Sequence, residues 1–375
     1  MKRIFATLAS AALLFTLAFS LSGCGGGNDG GLSRLNLRSE FTRELEGTTL
    51  NIVNWGEFIA EGPEFHVVQA FQALTGIQVN YATFNTNEEL YLQLTAGGAA
   101  FDLTFPSDYM IQRLIAEDEL NPIDFDNIPN FRYIEEYFQS GLWFDPESHY
   151  SVPYVWGMTG LIYNYALLQE IGIEAPTSWT ALWDERLAGQ ILQFESSRDA
   201  FAVAQFILGH DLNTTDPDDW RAAADLLLEQ APLVQAYVAD QIYDIMIGNN
   251  AFMGPYYNGD FMYMVEYNED LRLVYPEEGV NFFVDSMVIP RSAQNQRGAE
   301  MFINFLLEPD VALLNATAVY YAFPHTEVVN NPDFVRFNDP TLFPEEMPLY
   351  QRFEHLPPEI ISLKNQLWHE VRMAR

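Results

Sequence analysis

Apolar positions along the chain repeat with two periods, and the switches between them mark the elements. In Thr49–Phe58 (TLNIVNWGEF), Leu50, Ile52 and Val53 form a short β-prone run, as in a buried strand of a parallel sheet. From Pro63 to Leu74, Val68, Phe71 and Leu74 lie along one face; proline opens the segment and Gly76 closes it, which predicts a helix. Ile77–Ala82 predicts a strand, Glu88–Ala96 a helix stopped by Gly97-Gly98, and Phe101–Pro106 (FDLTFP) a third strand. Strands alternating with helices imply a parallel sheet with right-handed crossovers.

Tyr150–Asn164 is long, β-prone and interrupted by Gly157, and reads as a first crossing between two lobes. Beyond it, Ser178 caps a helix holding Trp179, Leu182 and Trp183. Ile191–Phe194 is a strand, and Ser196-Ser197-Arg198-Asp199 opens a helix through Leu208. Trp220, Ala223, Ala224 and Leu227 share one helical face. Ala251–Tyr257 and Leu271–Tyr275 are strands. Asn281–Pro290 (NFFVDSMVIP) is apolar except at Asp285 and Ser286, and reads as the second crossing. A carboxylate inside such a strand is costly unless it is paired or faces a cavity. Ala299, Phe302, Ile303 and Leu306 define another helix, Pro309 starts the next, and Ile360, Leu363, Leu367 and Val371 give a C-terminal docking helix.

The first residues stand apart. Residues 1–23 combine basic Lys2 and Arg3 with an apolar run, as an export signal does, and end in Leu21-Ser22-Gly23 before Cys24. That order resembles a bacterial lipobox with Cys24 as the lipidated residue. Cys24 is the only cysteine, which excludes an internal disulfide and a cysteine metal cluster. Residues 24–46 read as a flexible tether rich in Gly. About 330 residues remain, more than one growing core accommodates, so two lobes are expected. We place them at 47–154 and 285–328 for the first, and at 155–284 and 329–375 for the second.

The formal charge of −34 disfavours nucleic acid and anionic lipid headgroups and attracts cations, although a scattered acidic surface serves solubility equally. There is no GxSxG, HExxH, Walker or GxGxxG signature, and the six histidines show no i, i+4 pair. Neither a cofactor nor a metal site is expected. A carboxylate pair could serve a secreted hydrolase, but with 52 acidic residues such pairs carry little information.

More informative is a recurring aromatic beside an acid at strand ends or crossings: Trp55/Glu57/Phe58, Asp108/Tyr109, Tyr257/Asp260 and Phe283/Asp285. Each alone is compatible with packing. Together they suggest an interlobe cleft lined by rings and closed by acids, suited to a flexible aliphatic cation whose methylenes the rings cover. A sugar, an amino acid or another cation on the same fold remains an alternative.

Several segments carry a resemblance: Asn54–Phe58 (NWGEF), Pro106–Tyr109 (PSDY), Val152–Gly157 (VPYVWG), Ser178–Trp183, Asp285–Pro290 (DSMVIP) and Ile303–Ala312. Through them the chain from about Leu50 onward resembles the bacterial spermidine/putrescine-binding proteins of polyamine ABC importers. The resemblance implies an α/β type II periplasmic-binding-protein fold, with two lobes hinged around a ligand cleft. It implies that Trp55 packs on the polyamine with Glu57 beside it, and that Ser107, Tyr109, Asp199 and Tyr321 line the pocket. Asp285 would bind an amine. Phe58 stands where tyrosine is common, and Tyr257 and Phe283 where spermidine-type members carry tryptophan. Ser196 stands where those members carry aspartate, whereas Asp260 matches an acid of putrescine-type members; the exchange leans towards putrescine or mixed specificity. A further pocket acid or amide is implied near Glu354. The implied partners are the permease and ATPase subunits, with a monomeric, exported protein held at the membrane through Cys24.

Overall fold

The computed structural model describes residues 29–96, 100–332, 334, 339–342, 344 and 346–374. The export signal, Cys24, the first part of the tether and Gly97-Gly98 lie outside the described residues.

Among the described residues the strands are β1 (Thr49–Trp55), β2 (Gln78–Phe84), β3 (Leu103–Thr104), β4 (Leu120–Asn121), β5 (Ser151–Asn164), β6 (Ile191–Phe194), β7 (Val234–Val238), β8 (Met253–Tyr257), β9 (Leu271–Val274), β10 (Val280–Pro290) and β11 (Tyr350–Gln351). Their main path runs β2-β1-β3-β10-β5-β8-β6-β7; β4 and β11 pair with β10, and β9 with β5. In the first lobe β1 lies parallel between β2 and β3. In the second, β6 lies parallel between β7 and β8. The two long strands serve both lobes. They pair antiparallel from Phe282↔Met158 to Val288↔Ser151, with an irregularity at Asp285/Ser286. The far part of β5 then pairs with β8, Thr159 opposite Tyr257. Burial on both faces explains why these strands read as nearly continuous apolar runs.

Local chemistry sets the helix ends nearest the cleft. Thr86 accepts the Glu89 N–H at 3.1 Å while Glu89 Oε2 accepts the Asn85 N–H at 2.9 Å, a reciprocal cap that starts the helix Asn87–Thr95 directly after β2. Ser196 caps Ser197–Leu208 after β6, accepting the Asp199 N–H at 3.5 Å. Both helices therefore start where parallel strands end.

Several boundaries differ from the sequence pattern. The first helix starts at Val67, because residues before it form a Glu61↔His66 bridge. Ser178 caps a 3-10 turn, Trp179–Trp183, rather than an α-helix. The larger correction concerns the tether: residues 29–46 are docked on the first lobe. Leu32, Leu35, Leu37, Phe41 and Leu45 pack on the core, and Phe41 meets Phe305 edge-on at 5.8 Å. Buried Glu308 accepts the backbone N–H of Arg38 at 2.7 Å and of Ser39 at 2.8 Å. Apolar residues without helical or strand spacing can still bury an extended segment, provided its backbone finds partners. In the second lobe, Phe201, Trp220, Leu227, Ile360 and Val371 form a separate core that docks the helix Pro358–Met373.

Candidate functional site

The ends of β1, β6 and β8 and the middle of β10 converge on a cleft of about 840 Å3, part of it open to solvent. Rings form its walls. Trp55 ends β1 with its indole N–H donated to the Phe105 carbonyl at 2.7 Å and its ring 4.3 Å from Phe84. From Phe58 the rings continue to Tyr321 at 5.1 Å, to Phe283 at 6.2 Å, and to Tyr257 at 5.4 Å. Tyr109 closes another side, edge-on to Phe353 at 5.7 Å. Their negative faces and apolar bodies suit a methylene chain carrying positive charge.

Four carboxylates line this cleft, Asp240 and three others, Asp199, Asp260 and Asp285, whose hydrogen-bond partners among the described residues are neutral. Asp199 accepts the Tyr257 hydroxyl at 3.0 Å. Asp260 accepts the Tyr321 hydroxyl at 2.5 Å and the Tyr243 hydroxyl on its other oxygen. Asp285, 4 % exposed, is hydrogen-bonded by Ser107 and keeps Oδ1 without a partner. Burial pushes Asp199 up to about 6, and Asp260 and Asp285 each up to about 7. Mutual repulsion adds to burial at Asp285, from Asp199 and Asp260. Such groups are unsatisfied as anions, and an added cation would favour their ionised forms.

The structure brings Trp55, Phe58, Ser107, Tyr109, Ser196, Asp199, Tyr257, Asp260, Phe283, Asp285 and Tyr321 to this cleft. It does not bring Glu57 or Glu354. Glu57 follows β1 in a turn with φ +51° and is exposed, so the turn aims its side chain away. Glu354 is exposed and borders a second cavity behind Tyr109; the adjacent Phe353 faces the cleft instead. Asp108, the acid beside Tyr109, is turned to backbone: it accepts the Tyr109 N–H at 2.6 Å and the Val284 N–H at 3.4 Å.

Sequence reasoning missed Asn87, Asp240, Tyr243 and Phe353. Asn87 and Ser107 exchange hydrogen bonds of 3.0 and 3.1 Å, which orients Ser107. Asp240 follows β7 at the cleft wall and approaches Gly56 so closely that a Cβ there would meet its Oδ2 at 2.3 Å. The β-prone run VQAYV was the available signal for that strand end. No local pattern announces Phe353, which follows the two-residue β11.

Comparison with known proteins agrees with this architecture. The family model for bacterial extracellular solute-binding proteins matches residues 66–344. The chain is 32 % identical over 303 residues to the spermidine/putrescine-binding periplasmic protein of Escherichia coli (strain K12), covering 80 % of this chain and 84 % of that one. It is 30 % identical over 296 residues to a putrescine-binding periplasmic protein of the same strain, covering 75 % and 79 %. Among solved structures, a Listeria monocytogenes protein described as a spermidine/putrescine ABC transporter superposes with a TM-score of 0.82 at 35 % identity, over 88 % of this chain and all of that one.

Proposed function

The chain belongs to the bacterial extracellular solute-binding proteins, and on that premise we propose that it captures a polyamine, putrescine or spermidine, and delivers it to an ABC importer. The observation that carries this reading is the meeting of Asp199, Asp260 and Asp285 in one aromatic cleft with only neutral hydrogen-bond partners. A desolvated ammonium needs a carboxylate; no basic side chain acts on Asp260 or Asp285, and Asp199 feels the charge of buried Arg198 without a hydrogen bond to it.

In this reading Asp260 and Asp285 hold ammonium groups, with Asp199 available to a third. Trp55, Phe58, Tyr109, Tyr257, Phe283 and Tyr321 cover the methylenes. Ser107 orients Asp285, and Ser196 holds the helix that presents Asp199. Asp240 adds negative charge at the cleft wall. Residues 47–154 and 285–328 form one lobe, residues 155–284 and 329–375 the other, and β5 and β10 act as the hinge. Residues 1–23 direct export, Cys24 carries a lipid anchor, and the monomer hands its ligand to the permease and ATPase assembly without chemical turnover.

Isothermal titration of a soluble form lacking Cys24 and the residues before it tests the reading. Saturable one-site heat is expected with putrescine or spermidine, and none with a neutral sugar. Absence of heat with either amine, from folded protein freed of carried-over ligand, refutes it.

A further inference from the structure

Behind Tyr109 lies a second hollow of about 700 Å3, part of it open to solvent, between the lobes. One of its charge pairs has no part in the capture reading. Lys364, on the helix Pro358–Met373 of the second lobe, donates to Glu88 Oε1 at 3.1 Å and to Ser197 Oγ at 2.8 Å. Glu88 belongs to the helix Asn87–Thr95 of the first lobe. The Lys364 side chain is 3 % exposed and that of Glu88 29 %. Among the described residues no other ion pair has so buried a basic partner; the next, Arg113, is 18 % exposed. Nearby, the His355 N–H is donated to Gln112 Oε1 at 2.6 Å, a second link between the lobes.

The pair is also connected to the cleft by two short routes. The Tyr109 hydroxyl lies 3.4 Å from both Glu88 oxygens, and Tyr109 lines the cleft. Asn87, next to Glu88, exchanges hydrogen bonds with Ser107, which in turn bonds Asp285. Removing one partner of a buried pair is costly; without Lys364, Glu88 keeps only the charge of Arg198, which makes no ion pair with it. Here the molecule has a way to relieve that cost, because separating the lobes returns Glu88 to water.

We propose that Lys364 is a positioning residue for ligand retention: by clamping Glu88 across the lobes it holds Tyr109 and Ser107 in place and keeps the closed arrangement. The proposal rests on the capture reading, and its consequence is kinetic. An open cleft admits ligand without the clamp, but a closed one releases it slowly only with the clamp formed.

The test compares wild type, Lys364→Met, Glu88→Gln and the double variant by stopped-flow binding of putrescine and spermidine. The expected result is dissociation about tenfold faster in Lys364→Met with association within about twofold, and a double variant no worse than Lys364→Met alone. Unchanged dissociation in both single variants overturns the proposal. Glu88→Gln, altering the more exposed partner, carries the test if Lys364→Met does not fold. Interlobe distances between spin labels, measured without ligand, supply a readout independent of the amine. If wild type binds no amine, the capture reading fails, and these distances decide: widening in Lys364→Met supports the clamp, and unchanged distances overturn it.

Discussion

Replacing Asp285 by Asn should move ligand affinity and ligand-free stability in opposite directions. Burial lifts the Asp285 carboxyl from an ordinary 3.8 to about 7, because the side chain is 4 % exposed and Oδ1 has no partner. A carboxyl whose folded value lies above its unfolded value is penalised when ionised. The penalty is absent below the unfolded value, grows between the two, and is complete above the folded one. Three pH units at about 1.4 kcal/mol each give about 4 kcal/mol near pH 8, falling below about 2 kcal/mol near pH 5. An amide keeps the shape but brings N–H groups that need an acceptor, at about 1–3 kcal/mol. The ligand-free variant should therefore be more stable than wild type by about 1–3 kcal/mol near pH 8, with the gain gone near pH 5.

Binding should respond the other way. An ammonium left buried without its counter-charge loses about 3–5 kcal/mol, a weakening of at least about 100-fold. Urea denaturation of ligand-free protein at both pH values, with amine titration calorimetry, measures both effects. A variant no more stable than wild type near pH 8, or one whose amine affinity stays within about threefold, would refute the reasoning.

Amine affinity should rise with pH and level off above about 7.5, since Asp199, Asp260 and Asp285 are pushed up to about 6, 7 and 7; each carboxylate that must lose its proton adds up to about tenfold per pH unit below its own value. Titrations near pH 6 in buffers of different ionisation enthalpy should show proton release, and constant affinity from about pH 5 to 8 would count against the acid cluster. Glu57→Gln should leave affinity within about twofold, because an exposed charge outside the cleft is screened by solvent; a loss above about tenfold in calorimetry would return Glu57 to the site. At Gly259 a Cβ would meet the Tyr321 ring at 2.5 Å, so Gly259→Ala should displace the ring that donates to Asp260 and weaken binding by about 1–3 kcal/mol. Unchanged affinity in that variant would mean that Tyr321 does not fix the acid.

Much of this was legible because strand ends and helix starts leave strong local signals. Trp55, Tyr257 and Asp260 follow β-prone runs, and Asp199 sits three residues after a serine cap. Asp285 was conspicuous as the carboxylate of an apolar strand. At Glu57, spacing along the chain does not show which way a turn points; the residue is exposed, at φ +51°, and outside the cleft lining. Glu354 and Phe353 are neighbours in a segment without periodicity, where nothing local decides which faces inward. The docking of residues 29–46 is hidden for a related reason: Leu32, Leu35, Leu37 and Phe41 have no regular period, yet partners distant in sequence, Glu308 and Asp310, anchor the backbone of Asn36, Arg38 and Ser39 among them. Glu88 and Lys364 are 276 residues apart, and only the tertiary fold makes them a pair.

Tyrosine hydroxyls hold Asp199 and Asp260 in position without neutralising them, as a lysine or arginine would. Such a site is organised before its ligand arrives, and its charge remains available. The same choice makes an empty, closed cleft unfavourable above about pH 7, where all three acids would be ionised close together. A ligand with one ammonium removes part of that repulsion, and a ligand with two removes more while its methylenes lie against the rings. Selection for a linear diamine or triamine over a monoamine then follows from the number of uncompensated acids rather than from cleft shape alone. The Lys364–Glu88 pair lies behind Tyr109, where its two charges act on Asp199 with opposite signs and offset one another. It can favour closure without reducing the negative charge that draws the ligand in, which separates ligand retention from ligand attraction.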